Sequence, residues 1–211
     1  MNKDTEQMEV VVAMSNLKTG IKVSDAELPW YQQMVLRLMV PYVAGKDSQK
    51  DNASAFIHLN TRILDLVDQI PLSQRSVRVM VPPQIGLENN CRYWSVAMTL
   101  EHLLLAGERI RSIIFQLAEG GSFQKGILMS DFEPSLTPDT ALVAVKYRKF
   151  VSELMPELDE LLIDVDLSAT HDHPWFGPFH ALQWHWLLAS HSAIHWRQLQ
   201  NIRIGLDPNA H

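Results

Sequence analysis

"HDHPWFGPFHALQWHWLLASHSAIHWRQLQNI", residues 171–202, holds six of the chain's nine histidines and four of its six tryptophans. From about Pro178 to Ile202 it reads as one long helix, with Gly205 and Pro208 marking its end. A helix turns ~100° per residue, so His191 and His195 stand ~40° apart on one face with Cβ atoms ~6 Å from each other. Their stripe runs back through Leu188, Leu187, Trp184 and His180, and forward through Gln198, Leu199 and Ile202. It is mostly apolar and therefore faces a core, where an imidazole without a hydrogen-bond partner costs roughly 2 kcal/mol or more.

A bound cation is one way to partner such a pair, since HxxxH on a helix chelates first-row metals. Two ligands are too few, and a third must come from another element. "YWSVAMTLEHLLLAGERI" offers His102, which shares a face with Ala106, Ile113 and Leu117, whereas Glu101 lies ~100° around and points elsewhere. Alone, HxxxH also describes two half-exposed polar residues at a helix end, and a lone His102 a hydrogen-bonded core histidine. The case for a site rests on all three lying on core-facing stripes. His185 falls ~120° from the HxxxH face and is expected at a boundary or in solvent. His180 lies on the right face but ~16 Å below His191 along the axis. "HDH" at 171–173 reads as loop leading into a turn at Pro174, and His58 and His211 fit no pattern. Trp184, Trp186 and Trp196 read as packing; Trp175 is the one expected to line an opening.

Outward from these motifs the chain reads as all-α. "SDAELPWYQQMVLRLMVPYVAG" is a helix capped by Ser24 or Asp25, and "ASAFIHLNTRILDLVDQI" a second one closed by Pro71, with Phe56, Ile63, Leu66, Val67 and Ile70 at helical spacing. The two also read as halves of one interrupted element. A long connection follows, with a short extended piece at 77–81. Asn89 or Asn90 is expected to cap the long helix that carries His102, which Gly120 and Gly121 end. Thr137 as cap and Pro138 at the first helical position open the next helix. Four or five helices, most above 16 residues, and no convincing strand alternation imply an antiparallel helical bundle. Such bundles build metal sites from inward side chains on facing helices. The expected division is an arm over 1–24, a single bundle domain over 25–205 and a tail over 206–211.

Composition bounds the function classes. The chain has 211 residues, is 46% hydrophobic and 20% charged, and carries a formal charge of −6. Its pI is near 5.8. Without a basic stripe it is a poor match for nucleic acid or an anionic membrane surface. One cysteine, Cys91, excludes an internal disulfide framework and Cys-rich metal sites. Cys91 stands near a helix start, where a dipole lowers a thiol's pKa, but it reads as incidental. The apolar run at 10–14 is too short for a signal core, and that at 28–43 carries Arg37 and two prolines. The expectation is a soluble, cytoplasmic protein.

"YWSVAMTLEHLLLAGERI" resembles the second helix of the DinB-like (YfiT-like) metalloproteins, single histidine included. "HPWFGPFHALQWHWLLASHSAIHWRQLQNI" resembles their last helix, where an HPxFG segment leads into a helix bearing HxxxH and a Gln-Ile-like tail. The resemblance covers about half the chain, mainly residues 93–110 and 173–202. It implies a four-helix bundle in up–down–down–up order, often a homodimer. It also implies a divalent metal, zinc or nickel, held by His102, His191 and His195, the set that face geometry also selects. The helical segment at 28–44 is additional to the shortest members and leaves open which stretch forms the first bundle helix.

Three neutral imidazoles leave a coordination position free, the pattern of a catalytic site. Such an ion lowers the pKa of a coordinated water or thiol and orients a substrate. No general base stands out. Arg109, two turns beyond His102, meets an anionic substrate group in one reading and is a snorkelling surface arginine in the other. Two functions of different class stand. One is a metal-dependent enzyme, a thiol-dependent transferase or a hydrolase acting on a small-molecule or thiol substrate. The other is a non-catalytic bundle with a structural or vestigial site. A third is a partner-binding module using the tryptophan-rich helix.

Overall fold

The computed structural model describes residues 30–121 and 132–207, with side chains from residue 37 onward. The expected arm, the cap of the first helix at Ser24 or Asp25, and His211 lie outside the described residues. Five helices are seen among those described: α1 (Trp30–Ala44), α2 (Gln49–Gln69), α3 (Val96–Ala118), α4 (Thr140–Leu161) and α5 (Ala181–Leu206). α1 and α2 are separate helices. Two short antiparallel ribbons accompany them, β1 (Val79–Met80) with β2 (Tyr93–Trp94), and β3 (His171–His173) with β4 (Gly177–Phe179).

α2, α3 and α4 each start where a side chain satisfies orphan N–H groups. Ser48 Oγ accepts from Asp51 N at 3.2 Å to open α2. α3 opens at Ser95, whose Oγ accepts from Met98 N at 3.2 Å, not at Asn89 or Asn90. Those residues begin a 3-10 turn, and the Tyr93–Trp94 strand behind it pairs back on Val79–Met80. α4 is capped by Asp139, whose Oδ1 accepts from Ala141 N at 3.0 Å and Leu142 N at 2.9 Å. A carboxylate reaches two donors and complements the helix dipole, so it displaces the expected Thr137 cap and leaves Pro138 outside. α5 starts at Ala181, because residues 177–179 are held in the ribbon, with His171 opposite Phe179 and His173 opposite Gly177. The expected loop at 171–179 is therefore a hairpin. Gly177 supplies the φ of +80° it needs.

Polar ties across the bundle give the helix directions. Gln49 Nε2, at the start of α2, bonds the Asp159 carbonyl at 3.4 Å, at the end of α4. Asn60 of α2 bonds Ser192 of α5 at 3.2 Å, and Gln69 takes a 3.3 Å bond from Arg203. So α2 runs antiparallel to α4 and parallel to α5. Arg111 of α3 reaches Glu157 of α4 at 2.7 Å. Gly107 lies against the Phe150 ring, so α3 and α4 run parallel. Cys91 and Trp94, ahead of α3, meet Gln198 and His195, while His102 meets His191, so α3 opposes α5. α1 is tied to the start of α5 by Gln183 Nε2 on the Pro41 carbonyl at 2.8 Å.

The core between α2, α3, α4 and α5 contains Ile63, Val67, Leu100, Ile113, Leu117, Leu158, Trp184 and Ile202. Burial of each such side chain contributes roughly 1.5–3 kcal/mol. All five apolar residues singled out for this segment are buried, four in α2 and Ile70 at its C-cap. A buried polar chain crosses this core: Tyr147 donates to Asn60 Oδ1, and Asn60 Nδ2 donates to Ser192 Oγ. α3 and α4 cross closely at Gly107, where an added Cβ would stand 2.5 Å from a Phe150 ring carbon. Gly107→Ala is therefore expected to cost about 1–3 kcal/mol by overpacking, read as a lower urea midpoint; an unchanged midpoint would show that Phe150 yields freely.

Candidate metal centre

α3 and α5 bring three imidazoles to one point. His102 Nε2 and His195 Nε2 each lie 3.1 Å from His191 Nε2. One ligand atom from each of the three falls within 4.8 Å of the others. Among the described residues no carboxylate or thiol joins this cluster. Glu101 turns away, as its position around the helix requires, and accepts from Ser135 N at 2.6 Å.

Groups behind the rings decide where their protons are. His102 Nδ1 lies 2.8 Å from the Phe132 carbonyl. A carbonyl only accepts, so Nδ1 carries the proton and Nε2 keeps its lone pair. His195 Nδ1 lies 2.7 Å from Gln198 Oε1, and Gln198 Nε2 donates to the Cys91 carbonyl at 2.7 Å. That second bond fixes the amide's orientation and makes His195 Nδ1 the donor as well. Two lone pairs thus point at His191 Nε2, which has at most one proton to offer. Burial lowers the pKa of His102, against the pull of the Phe132 carbonyl. Burial and the neighbouring His102 lower that of His195 to about 3. His191 is pushed well below its usual value by burial and by His195, His102 and His173. All three rings are held neutral at pH 7, the form that ligates. Three Nε2 atoms at these separations suit one small cation, since ligands ~2.0–2.1 Å from a tetrahedral ion stand roughly 3.3 Å apart.

Trp94 walls the cluster on one side, its ring 8° from parallel to His195 at 6.1 Å and 5.0 Å from His102. His102 and His195 are buried, and His191 is half-buried as a residue. Within the hairpin, His173 stacks on Phe176 at 4.3 Å, and its Nδ1 accepts from Trp175 N at 3.2 Å. A cavity of about 260 Å³ opens beside it, lined by Arg37, Asp172, His173, Pro174, Phe176, Gly177 and Pro178. Trp175 does not line it.

The remaining expectations divide. His171 and His173 do not enter the three-nitrogen cluster, and His58 is exposed. His180 is the N-cap of α5. His185 is not at a boundary: it is 1% exposed, and neither ring nitrogen has a hydrogen-bond partner among the described residues. α5 packs against α1, α2 and α3 together, so its buried arc is wider than the HxxxH stripe. Cys91 is buried, and burial, with Glu88 and Glu133 nearby, raises its thiol pKa to about 12 instead of lowering it. It is no nucleophile at neutral pH. Gln198, Trp94 and the Phe132 carbonyl were not expected as parts of the site. Gln198 had a signal, since a residue three after His195 lies on the same face. A backbone carbonyl leaves none.

No family model matches the chain, and no curated protein matches it. Among solved structures it is similar to TT2238, described as a four-helix bundle protein. The identity is 19%, over 72% of this chain and 98% of that one, with a TM-score of 0.46.

Proposed function

We propose that the protein is a DinB-like divalent-metal enzyme, with His102, His191 and His195 holding zinc or nickel in a single bundle domain over 25–205. The observation that carries this reading is the pair of lone pairs, on His102 Nε2 and His195 Nε2, aimed at a third nitrogen 3.1 Å away. The helix directions described above support the up–down–down–up order that the resemblance implies. Bound there, such an ion supplies Lewis acidity and lowers the pKa of a coordinated water or thiol. Three protein nitrogens, with no fourth donor among the described residues, favour a site with an open position over a closed structural one. The chain's own contribution is to keep three rings neutral, fix two tautomers and exclude water behind Trp94. With no thiolate of its own, it takes its nucleophile from water, as a hydrolase, or from a thiol substrate, as a transferase.

Diffraction at the zinc and nickel absorption edges, on tag-free protein supplied with both ions, tests the reading. One anomalous peak between the three Nε2 atoms is expected, and a clean map at that point sinks it. Gln198→Leu frees the His195 tautomer and is expected to weaken metal affinity by 10- to 100-fold, about the cost of losing such an outer hydrogen bond. Competition against a chromogenic chelator measures this; affinity equal to the parent's would deny Gln198 its role.

A further inference from the structure

α3 and α5 run antiparallel past the histidines, so two turns onward on α3 and two turns back on α5 reach the same level. On α5 that residue is Trp184, and on α3 it is Arg109. Seven residues turn a helix by ~700° and advance it ~10 Å, which puts Arg109 within ~20° of the His102 face. Arg109 is half-buried, and among the described residues no carboxylate lies within ion-pair distance of it. Arg111, on the opposite flank, is bonded to Glu157 at 2.7 Å and Glu108 at 3.2 Å.

The β3–β4 hairpin closes this level. Side chains alternate along a strand. His171 is buried and His173 partly so, their rings 5.8 Å and 5.5 Å from Trp184, while Asp172 between them is exposed. The hairpin thus turns two imidazoles inward and its carboxylate outward. Burial lowers the pKa of His171, the Arg109 cation lowers it further, and neighbouring Asp172 opposes. Two neutral imidazoles beside Trp184 and an arginine without a described counterion therefore stand at one level, two helical turns from the histidine cluster.

We propose that Arg109, with the inward face of the hairpin, is an anion-recognition wall for the histidine site. It selects small molecules that carry a carboxylate two helical turns from the atom approaching His191. The planar guanidinium suits a carboxylate in bidentate fashion. This rests on the metal-binding reading, and it adds a substrate class to it.

Cobalt-loaded protein is titrated with mercaptooctanoate and with mercaptooctanol, and binding is followed by the sulfur-to-cobalt charge-transfer band. The parent is expected to prefer the acid by about tenfold or more, the scale of a charge-assisted hydrogen bond. Arg109→Gln is expected to abolish the preference by weakening the acid alone. Arg109→Lys, which keeps the charge and loses the fork, retains part of it. Arg111→Gln removes the same net charge from the other flank and leaves the preference intact. An acid preference unchanged in Arg109→Gln and Arg109→Lys overturns the proposal, as does an equal loss in Arg111→Gln, while cobalt still binds. Absence of any cobalt spectrum in the parent is a different failure, which removes the metal reading and this inference together.

Discussion

His191→Ala is expected to lose divalent-metal affinity by at least about a hundredfold, because a three-nitrogen site has no spare donor. Among the described residues no carboxylate or thiol stands ready to replace the ring. His102→Ala and His195→Ala are expected to do the same. The size of the accompanying stability change separates a metal site from a hydrogen-bonded histidine cluster. In chelator-treated protein, two lone pairs face His191 Nε2 at 3.1 Å. Removing that ring relieves the crowding, which offsets the cost of the cavity it leaves, so the metal-free variant is expected to melt close to the metal-free parent. If His191 instead held the cluster together by hydrogen bonds, its loss would leave buried acceptors orphaned and cost about 1–3 kcal/mol. Adding zinc or nickel at about a hundred times the dissociation constant stabilises the parent by ~2.7 kcal/mol, since only the folded chain assembles the site. For a bundle of this size that is a rise in melting temperature of roughly 5–10 °C. The variant is expected to show no rise. A metal-induced shift of equal size in parent and His191→Ala would place the ion elsewhere and end the three-histidine proposal.

The histidine trio could be selected from sequence because it depends on helix arithmetic alone. Spacing put His191 beside His195, and an apolar stripe turned His102 toward the same core. The helical class followed from the same periodicity. Features that depend on chain reversal were not legible. Residues 171–179 look irregular because of Pro174, Gly177 and Pro178, yet the flanking residues pair as strands around a turn. Asn89 and Asn90 have cap chemistry, but Ser95 lies where Tyr93–Trp94 has already bent back on Val79–Met80, and tertiary pairing decides between them. Asp139 prevailed over Thr137 because a carboxylate holds two N–H groups at once. His185 shows the limit of reasoning from one face: a helix surrounded by three others buries residues that its main stripe would leave outside.

That buried ring, with His173, gives the second large expected effect, acid unfolding of the chelator-treated protein well above the range where carboxylates titrate. Burial lowers the pKa of His185 from 6.5 to about 4, with Asp159 opposing. Burial and then His171 lower that of His173 to about 4 as well. Above pH 6.5 both rings are neutral whether the chain is folded or not, and they contribute no pH dependence. Below 6.5 the unfolded chain takes up protons that the folded chain refuses, so stability falls steadily until about pH 4 and then levels. Two groups over 1.5 pH units lose roughly 4 kcal/mol by pH 5. With the metal removed, His195 adds a loss of the same sign. Set against a typical total of ~5–15 kcal/mol, this removes a large share of the stability by pH 5 and raises the acid midpoint toward that pH. Urea titrations at pH 7.5, 6 and 5 measure it, and equal midpoints at 7.5 and 5 would refute the burial argument. His185→Leu tests the same physics from the other side. It removes one proton-binding group and two buried nitrogens without hydrogen-bond partners. The slope of stability against pH between 6.5 and 4 is expected to become shallower, and the acid midpoint to move down. A variant that kept the parent's slope would show that His185 reaches solvent before it protonates.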